Sequence, residues 1–567
     1  MWTLPKLPSV PAPCLPPALD KNEARANAAF ALRYGTAAAD AQSVRAPQTP
    51  NRDETRYADK SATFSKGLKQ KSYGIVDPDV FKAFRNALGS SDGMTVGTMN
   101  FDDPNIILGG YSQQHATPPF YTQLNGPAGA FALNLAGADS QSFAAPAAFE
   151  VDSIDYALEL IELYWASLLR DVPFSEYRIN ATAIAAANGL TKLRTKFNGH
   201  YYGPINEAGR VTPDLLFRGG PRQIGDRLYF ASEDIGPYVS QLCIQPTHLG
   251  AQQIDQKMLS YMAGVNYLTD LDDWYAAQNG KVSGANVADG VRRYMSNGRA
   301  LATYTHIGEL YQAYFVASLV LRSLAIAPNQ TNPYAGYRNQ KPFGTFGGPD
   351  IAATLGAVAK AALNAAWYQK WIVHLRHHPE AGGGVVHLAM TKPAGIPLPQ
   401  APVHEAVLES AALYFSQFVN HDFGQSAAHG SFLLSQAFPE GSPTHPSYPT
   451  GHGTVAGACI TVLKFFFDGE GIFEHPVVPS VDGSALEPYT GCDNLTVNGE
   501  LHKLAHNMSF GHGIHAGIHW RSDTDQSILL GEQVALRFLQ NQAYSYSEQV
   551  KVTITLLNGD QITITNR

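Results

Sequence analysis

Charge is scarce in this chain: Asp, Glu, Lys and Arg make up 16% of 567 residues, against 44% apolar. So little charge implies a small surface for the volume, reached by size or by assembly with copies of itself. There is no basic excess either. The formal net charge is −8, which excludes the electrostatic footprint of a nucleic-acid binder. No apolar run approaches the ~20 residues of a membrane span. Cysteine is limited to Cys14, Cys243, Cys459 and Cys492. None forms a CxxC pair, so zinc-ribbon and thioredoxin readings have no support, and the spacing does not choose between disulfides and none. The Pro-rich opening MWTLPKLPSVPAPCLPP lacks the roughly 7–15-residue apolar stretch of a secretory signal. It reads as a loop or an extended arm that docks.

What is present is mainly helical. Ile154, Ala157, Leu158, Ile161, Trp165 and Leu168 fall on one helical face, and Pro173 favours a stop soon after. Leu310, Tyr314, Ala317, Leu321 and Leu324 form a second stripe. Further helices are expected at 350–375, 402–420, 453–468, 500–520 and 524–542, separated by loops such as 198–224 and 327–350. At the end, Val550–Leu556 and Gln561–Thr565 alternate around Asn558-Gly559-Asp560, the pattern of a β-hairpin. The length suits about three or four domains, a soft prior for helical chains that intergrow. The expected organisation is an irregular arm at 1–60, one large helical body at 61–545 and a hairpin at 546–567. The fold class is therefore all-α, helical bundles with long loops and a small C-terminal hairpin.

Three segments carry chemistry. In HPSYPTGHGTVAGACITVLKFFF, Thr450-Gly451-His452 stands directly before an apolar helix. Free N–H groups, a glycine that admits close approach and the helix dipole make an anion site there. Thr450 adds a hydroxyl, and His452 can carry a proton. The plain alternative is a capped helix behind a turn. In AWYQKWIVHLRHHPEAGG, Lys370, His374, Arg376, His377 and His378 cluster before Pro379. Alone, that is a basic helix end favoured by the dipole. In HNMSFGHGIHAGIHWRSDTDQS, helical spacing places His512, His515 and His519 on one face. His519 and Asp523, four apart, suit a carboxylate orienting an imidazole. A polar helix end facing a neighbour is the plain reading here.

Together, and in this order, the segments resemble the vanadium haloperoxidases of algae and bacteria, a family that shares its site with a class of acid phosphatases. The likeness extends to Phe64-Ser65-Lys66-Gly67-Leu68, NGPAGAFALNLAGADSQSF, ELYWASLLRDVPF, Leu216-Phe217-Arg218-Gly219-Gly220, GPYVSQ and LEPYTGCDNLTVNGELHKLAHN, from about residue 55 to 542. The resemblance implies two four-helix bundles and a vanadate cofactor that uses hydrogen peroxide to oxidise bromide or iodide. It implies His519 as the axial ligand to vanadium, Lys370 as the holder of a vanadate oxygen, Thr450 and Gly451 as hydrogen-bond donors, and His452 as the acid–base group. It gives His445 and Trp367 to the halide region. It also implies a homo-oligomer, a dimer or larger. Such proteins are often secreted or periplasmic, although no signal is visible here.

Two positions depart from the family pattern. Where the family has arginines, this chain has His378 and Gly513, so two bidentate guanidiniums are missing from the expected cofactor-binding set. Either Arg376 and Arg521 swing in, or His378 and His512 take over when protonated, or tight vanadate binding is lost. Substitution by histidines predicts that vanadate affinity falls as pH rises through the histidine range. The rival readings are a phosphomonoesterase on the same oxyanion site, a divalent-metal site built from the histidines, and a scaffold that has lost catalysis.

Overall fold

The computed structural model describes residues 22–43, 46–89, 120–219, 222–224, 227–229, 235–423 and 430–566. Its principal helices are α1 (Asn22–Gln42), α2 (Ile154–Leu169), α3 (Ala181–Lys196), α4 (Gly298–Ile307), α5 (Gln312–Ser323), α6 (Gly348–Tyr368), α7 (Pro379–Thr391), α8 (Ala411–Phe423), α9 (Gly451–Phe466), α10 (Val497–Phe510) and α11 (Arg521–Ser545). Every sheet among the described residues is a two-stranded antiparallel pair.

The helices form two groups of four. In one, α9 packs along α11, α6 and α10. Its sequence is apolar on every side, the composition of a helix enclosed by others, and all its residues but His452 are buried. The helices approach at backbone distance. A Cβ on Gly457 would lie 1.9 Å from the Ile528 carbonyl oxygen, and one on Gly531 would lie 2.0 Å from that of Thr454. In the second group, α2 packs against α8, α3 and α7. The side chain of Ser153 caps α2 by accepting from the Tyr156 N–H, 3.2 Å away. Phe510 at the end of α10, and Ile514 and Trp520 from the segment joining α10 to α11, bury in this second core. That segment ties the two groups together.

The all-helical expectation holds, and so does the final hairpin, where Lys551–Thr555 pairs with Gln561–Thr565. Val552, Ile554 and Ile564 seat it on the first core. Three local expectations are corrected. Residues 22–42, read as irregular, are helical: their many alanines favour a helix, and Asp40 fixes it to Arg537 (2.9 Å) and Asn541 (2.8 Å) of α11. The helix expected over 402–420 is interrupted, because the Ser410 hydroxyl accepts from the Ala412 N–H and starts α8 afresh. The helices expected to reach 375 and 520 each end in a π turn, Gln369–His374 and Gly511–His515. Cys243, Cys459 and Cys492 are free thiols; Cys14 and the Pro-rich opening lie outside the described residues. No helix among the described residues is long and apolar enough to cross a membrane.

Candidate functional site

Three stretches distant in sequence meet between the two helix groups. They are the π turn after α6, the loop that enters α9 at Thr450, and the segment between α10 and α11. Lys370 lies in the first, fully buried. Its ammonium donates to the carbonyls of Pro446 (2.6 Å) and Ser447 (2.8 Å), and so clamps the first stretch to the second. Burial, partly countered by Asp523, brings its pKa down to about 7.

His519 is fully buried in the third stretch. Its Nδ1 lies 3.1 Å from the Ser447 hydroxyl and 3.3 Å from a carboxylate oxygen of Asp523, to which that hydroxyl also donates. A carboxylate only accepts, so this network puts the imidazole proton on Nδ1. Nε2 is left with a free lone pair and no partner. Burial, with Lys370 the next cause, holds the His519 pKa well below its ordinary value, so the ring stays neutral. The expected carboxylate–imidazole pair is present, although not within one helix. His519 precedes α11, and Asp523 reaches back across the helix start, where it also accepts from the Trp520 N–H at 3.2 Å.

Thr450 is the N-terminal cap of α9, yet its hydroxyl caps nothing and is buried without a partner. Its own N–H donates to the Ser527 hydroxyl at 2.7 Å. The N–H groups of the first turn after it have no acceptor within the helix. Gly451 keeps the approach narrow, since a Cβ there would lie 3.2 Å from Leu363 and 3.3 Å from Trp367. His452 donates from Nε2 to the Thr305 carbonyl at 3.0 Å, which leaves Nδ1 as the basic nitrogen. Burial lowers its pKa to about 4. His445 packs 5.1 Å from Trp367 and 6.3 Å from His519 between ring centroids. The Trp367 indole N–H is held by the carbonyls of Asn125 (2.9 Å) and Gly126 (3.1 Å).

The structure also shows what stands at the two departed positions. His378 faces backbone carbonyls with both nitrogens, Ile518 at 2.7 Å and His445 at 2.6 Å. A neutral ring donates to one of them. Burial and Lys370 push its pKa down to about 3 against the pull of those carbonyls. Gly513 is tightly flanked: a Cβ there would sit 3.2 Å from both His519 Cβ and the Thr524 hydroxyl, so a neighbour would have to give by a few tenths of an ångström. Its carbonyl instead anchors the N–H groups of Ile518 (2.8 Å) and His519 (3.1 Å). Arg376 and Arg521 do not swing in. Arg376 bonds Asp523 at 2.6 Å and Glu159 at 3.1 Å, and Arg521 grips Glu162, with its Nε 2.8 Å from the carboxylate. Both glutamates come from α2.

The sequence reading of one histidine face is corrected. His515 turns into an aromatic pocket and meets the Tyr238 hydroxyl at 2.9 Å, while His512 stays beside His519, their centroids 5.6 Å apart. His377 meets Tyr156 at 2.9 Å, and His374 meets Gln369 at 3.2 Å, both outside the cluster around His519. Among the described residues no group of three His, Cys, Asp or Glu side chains is arranged to hold a metal cation, which counts against the divalent-metal reading. Sequence reasoning missed Ser447. It lies within HPSYPTGH, but only the fold shows that it bridges His519 and Asp523.

The donor set fits an oxyanion that also takes one nitrogen ligand: an unprotonated imidazole nitrogen, a free hydroxyl, a helix start and a buried ammonium. Comparison with known proteins agrees. A family model for the VCPO second helical-bundle domain matches residues 427–547. The vanadium-dependent bromoperoxidase of Ascophyllum nodosum is 30% identical, over 95% of this chain and 92% of that protein. That of Corallina officinalis is 31% identical, over 96% of this chain and 99% of that protein. The homohexameric second vanadate-dependent bromoperoxidase of Ascophyllum nodosum superposes with a TM-score of 0.84 at 26% identity, covering 100% of this chain and 94% of its own. The chain belongs to the vanadium-dependent haloperoxidase family.

Proposed function

We propose that this chain is a vanadate-dependent haloperoxidase that uses hydrogen peroxide to oxidise bromide or iodide to the hypohalous acid. The observation that carries this reading is the buried, unprotonated and unpartnered Nε2 of His519 in the same cluster as the unpartnered hydroxyl of Thr450. A buried polar atom without a partner is costly, and a ligand that bonds it repays that cost. His519 would hold vanadium, with Thr450, the first-turn amides at Gly451 and the Lys370 ammonium around the oxygens. Vanadate held there would supply Lewis-acid activation of peroxide toward halide, chemistry that needs no change in the metal's oxidation state.

This chain's residues do the rest. Asp523 and Ser447 keep His519 in the Nδ1–H tautomer, so Nε2 is always available as a ligand. His452, neutral at pH 7 with Nε2 committed to Thr305, receives the peroxide proton on Nδ1. Lys370, fully buried, would place positive charge beside the oxygens, where electrostatic stabilisation is strong. Trp367 and His445 form the apolar and polar walls against which halide would sit.

The test is a pair of assays on the purified full chain reconstituted with orthovanadate. One is bromide- and iodide-dependent bleaching or halogenation of a dye with hydrogen peroxide, and the other is p-nitrophenyl phosphate hydrolysis. The reading predicts halogenation that requires vanadate. Ester hydrolysis without halogenation would assign the site to phosphate chemistry instead. The likeness to a homohexameric relative supports a homo-oligomer, and light scattering on the purified chain should give a mass at least twice the 61.2 kDa of one protomer.

A further inference from the structure

The cations that the sequence offers near the site are largely committed to protein groups. Arg376 is held by Asp523 and Glu159, His378 faces two carbonyls, and Lys370 spends two hydrogen bonds on the loop before α9. Among the buried nitrogens left without a partner is one of His512. His512 is 8% exposed, and its Nδ1 is buried with no partner. Its ring stacks on His452 with centroids 3.9 Å apart and planes 27° from parallel, and it lies 5.6 Å from His519. It therefore borders both the proposed acid–base group and the proposed vanadium ligand.

The backbone explains why His512 is there. Gly511–His515 is a π turn, and a π turn holds one residue more than an α turn. His512 is the second residue of that turn, and His519 follows four residues after the turn ends, outside any helix. Gly513 meanwhile lies tight against His519 and Thr524. Of these two residues it is His512 that presents a side chain beside His519.

We propose that His512 is an oxyanion-binding residue, donating its Nδ1–H to an oxygen of the vanadate or phosphate held by His519 and Thr450. The inference rests on the oxyanion-site reading above and assigns one more donor to it. A single imidazole donor replaces a bidentate guanidinium, so the site binds its anion through fewer fixed charges.

The experiment measures binding of orthovanadate and of inorganic phosphate to the anion-free full chain by isothermal titration calorimetry. It compares wild type, His512→Leu, His512→Asn and Thr450→Ala, with thermal unfolding of each without anion. A hydrogen bond to a charged partner predicts that His512→Leu weakens binding about tenfold or more. His512→Asn, which keeps an N–H near the Nδ1 position, stays within about threefold of wild type. Removing an unpartnered buried nitrogen leaves the Tm of His512→Leu equal to or above wild type, an outcome a purely structural histidine would not give. If wild type binds, Thr450→Ala weakens binding and His512→Leu binds as wild type does, the inference is overturned while the site reading stands. Should wild type bind neither anion, the site reading itself is overturned, and the role of His512 with it.

Discussion

At the scale of single residues, the site works by fixing protonation states. His519 and His452 are each pinned at one nitrogen, which decides what the other can do. The expectation that vanadate affinity would follow histidine titration needs revision. Burial holds His378 at about 3 and His452 at about 4, so neither changes charge between pH 5 and 8. Lys370, at about 7, does. An arriving anion raises the lysine's pKa, so the protonated form binds better. Affinity should be greatest below pH 7 and fall above it, approaching tenfold per pH unit. Equilibrium dialysis with orthovanadate between pH 6 and 8.5 checks this, with Lys370→Met as the comparison. The variant should bind more weakly at pH 6.5 and lose that part of the slope. An unchanged slope would remove Lys370 from the account.

At the scale of elements, the site is an ending rather than a helix face. Both π turns fall where the sequence pattern still reads as helix, because apolar spacing reports which side is buried and not how many residues a turn contains. The Thr450-Gly451-His452 helix start was legible, since small and hydroxyl residues before an apolar run have a local cause. The commitments of Arg376 and Arg521 were not. They depend on Glu159 and Glu162, more than 200 residues away in sequence, and nothing in the chain's order announces that pairing. The same holds for Ser447, whose role exists only once His519 and Asp523 are beside it. The position of the helix start depends in turn on how closely α9 and α11 cross. Gly457→Ala should drive a methyl group against the Ile528 carbonyl, separate the helices and cost on the order of 3 kcal/mol. Urea unfolding would show it as a lower midpoint. Equal midpoints would mean that the crossing has slack.

At the scale of the whole molecule, the cost of this design falls at low pH. Burial holds His374 and His515 at about 3 and His377 and His452 at about 4, against about 6.5 in the unfolded chain. Below pH 6.5 the unfolded state takes up these protons and the folded state does not. Their contribution is fully present above pH 6.5 and is lost as pH falls toward 4. At pH 5 that is on the order of 2 kcal/mol for each ring. Asp53 and Glu159, raised by burial to about 6 and about 7, act in the opposite direction but are fewer. Tm should therefore drop steadily from pH 7 to pH 5 in calorimetry, and a Tm that holds level or rises over that range would contradict the buried-histidine account.

All of this turns on one nitrogen, Nε2 of His519. Orthovanadate binding to the full chain and to His519→Ala, measured side by side at pH 6.5, tests it most directly. The account predicts one vanadate per wild-type protomer and a loss of affinity of about 100-fold or more in the variant. Equal affinity in the two proteins would contradict it.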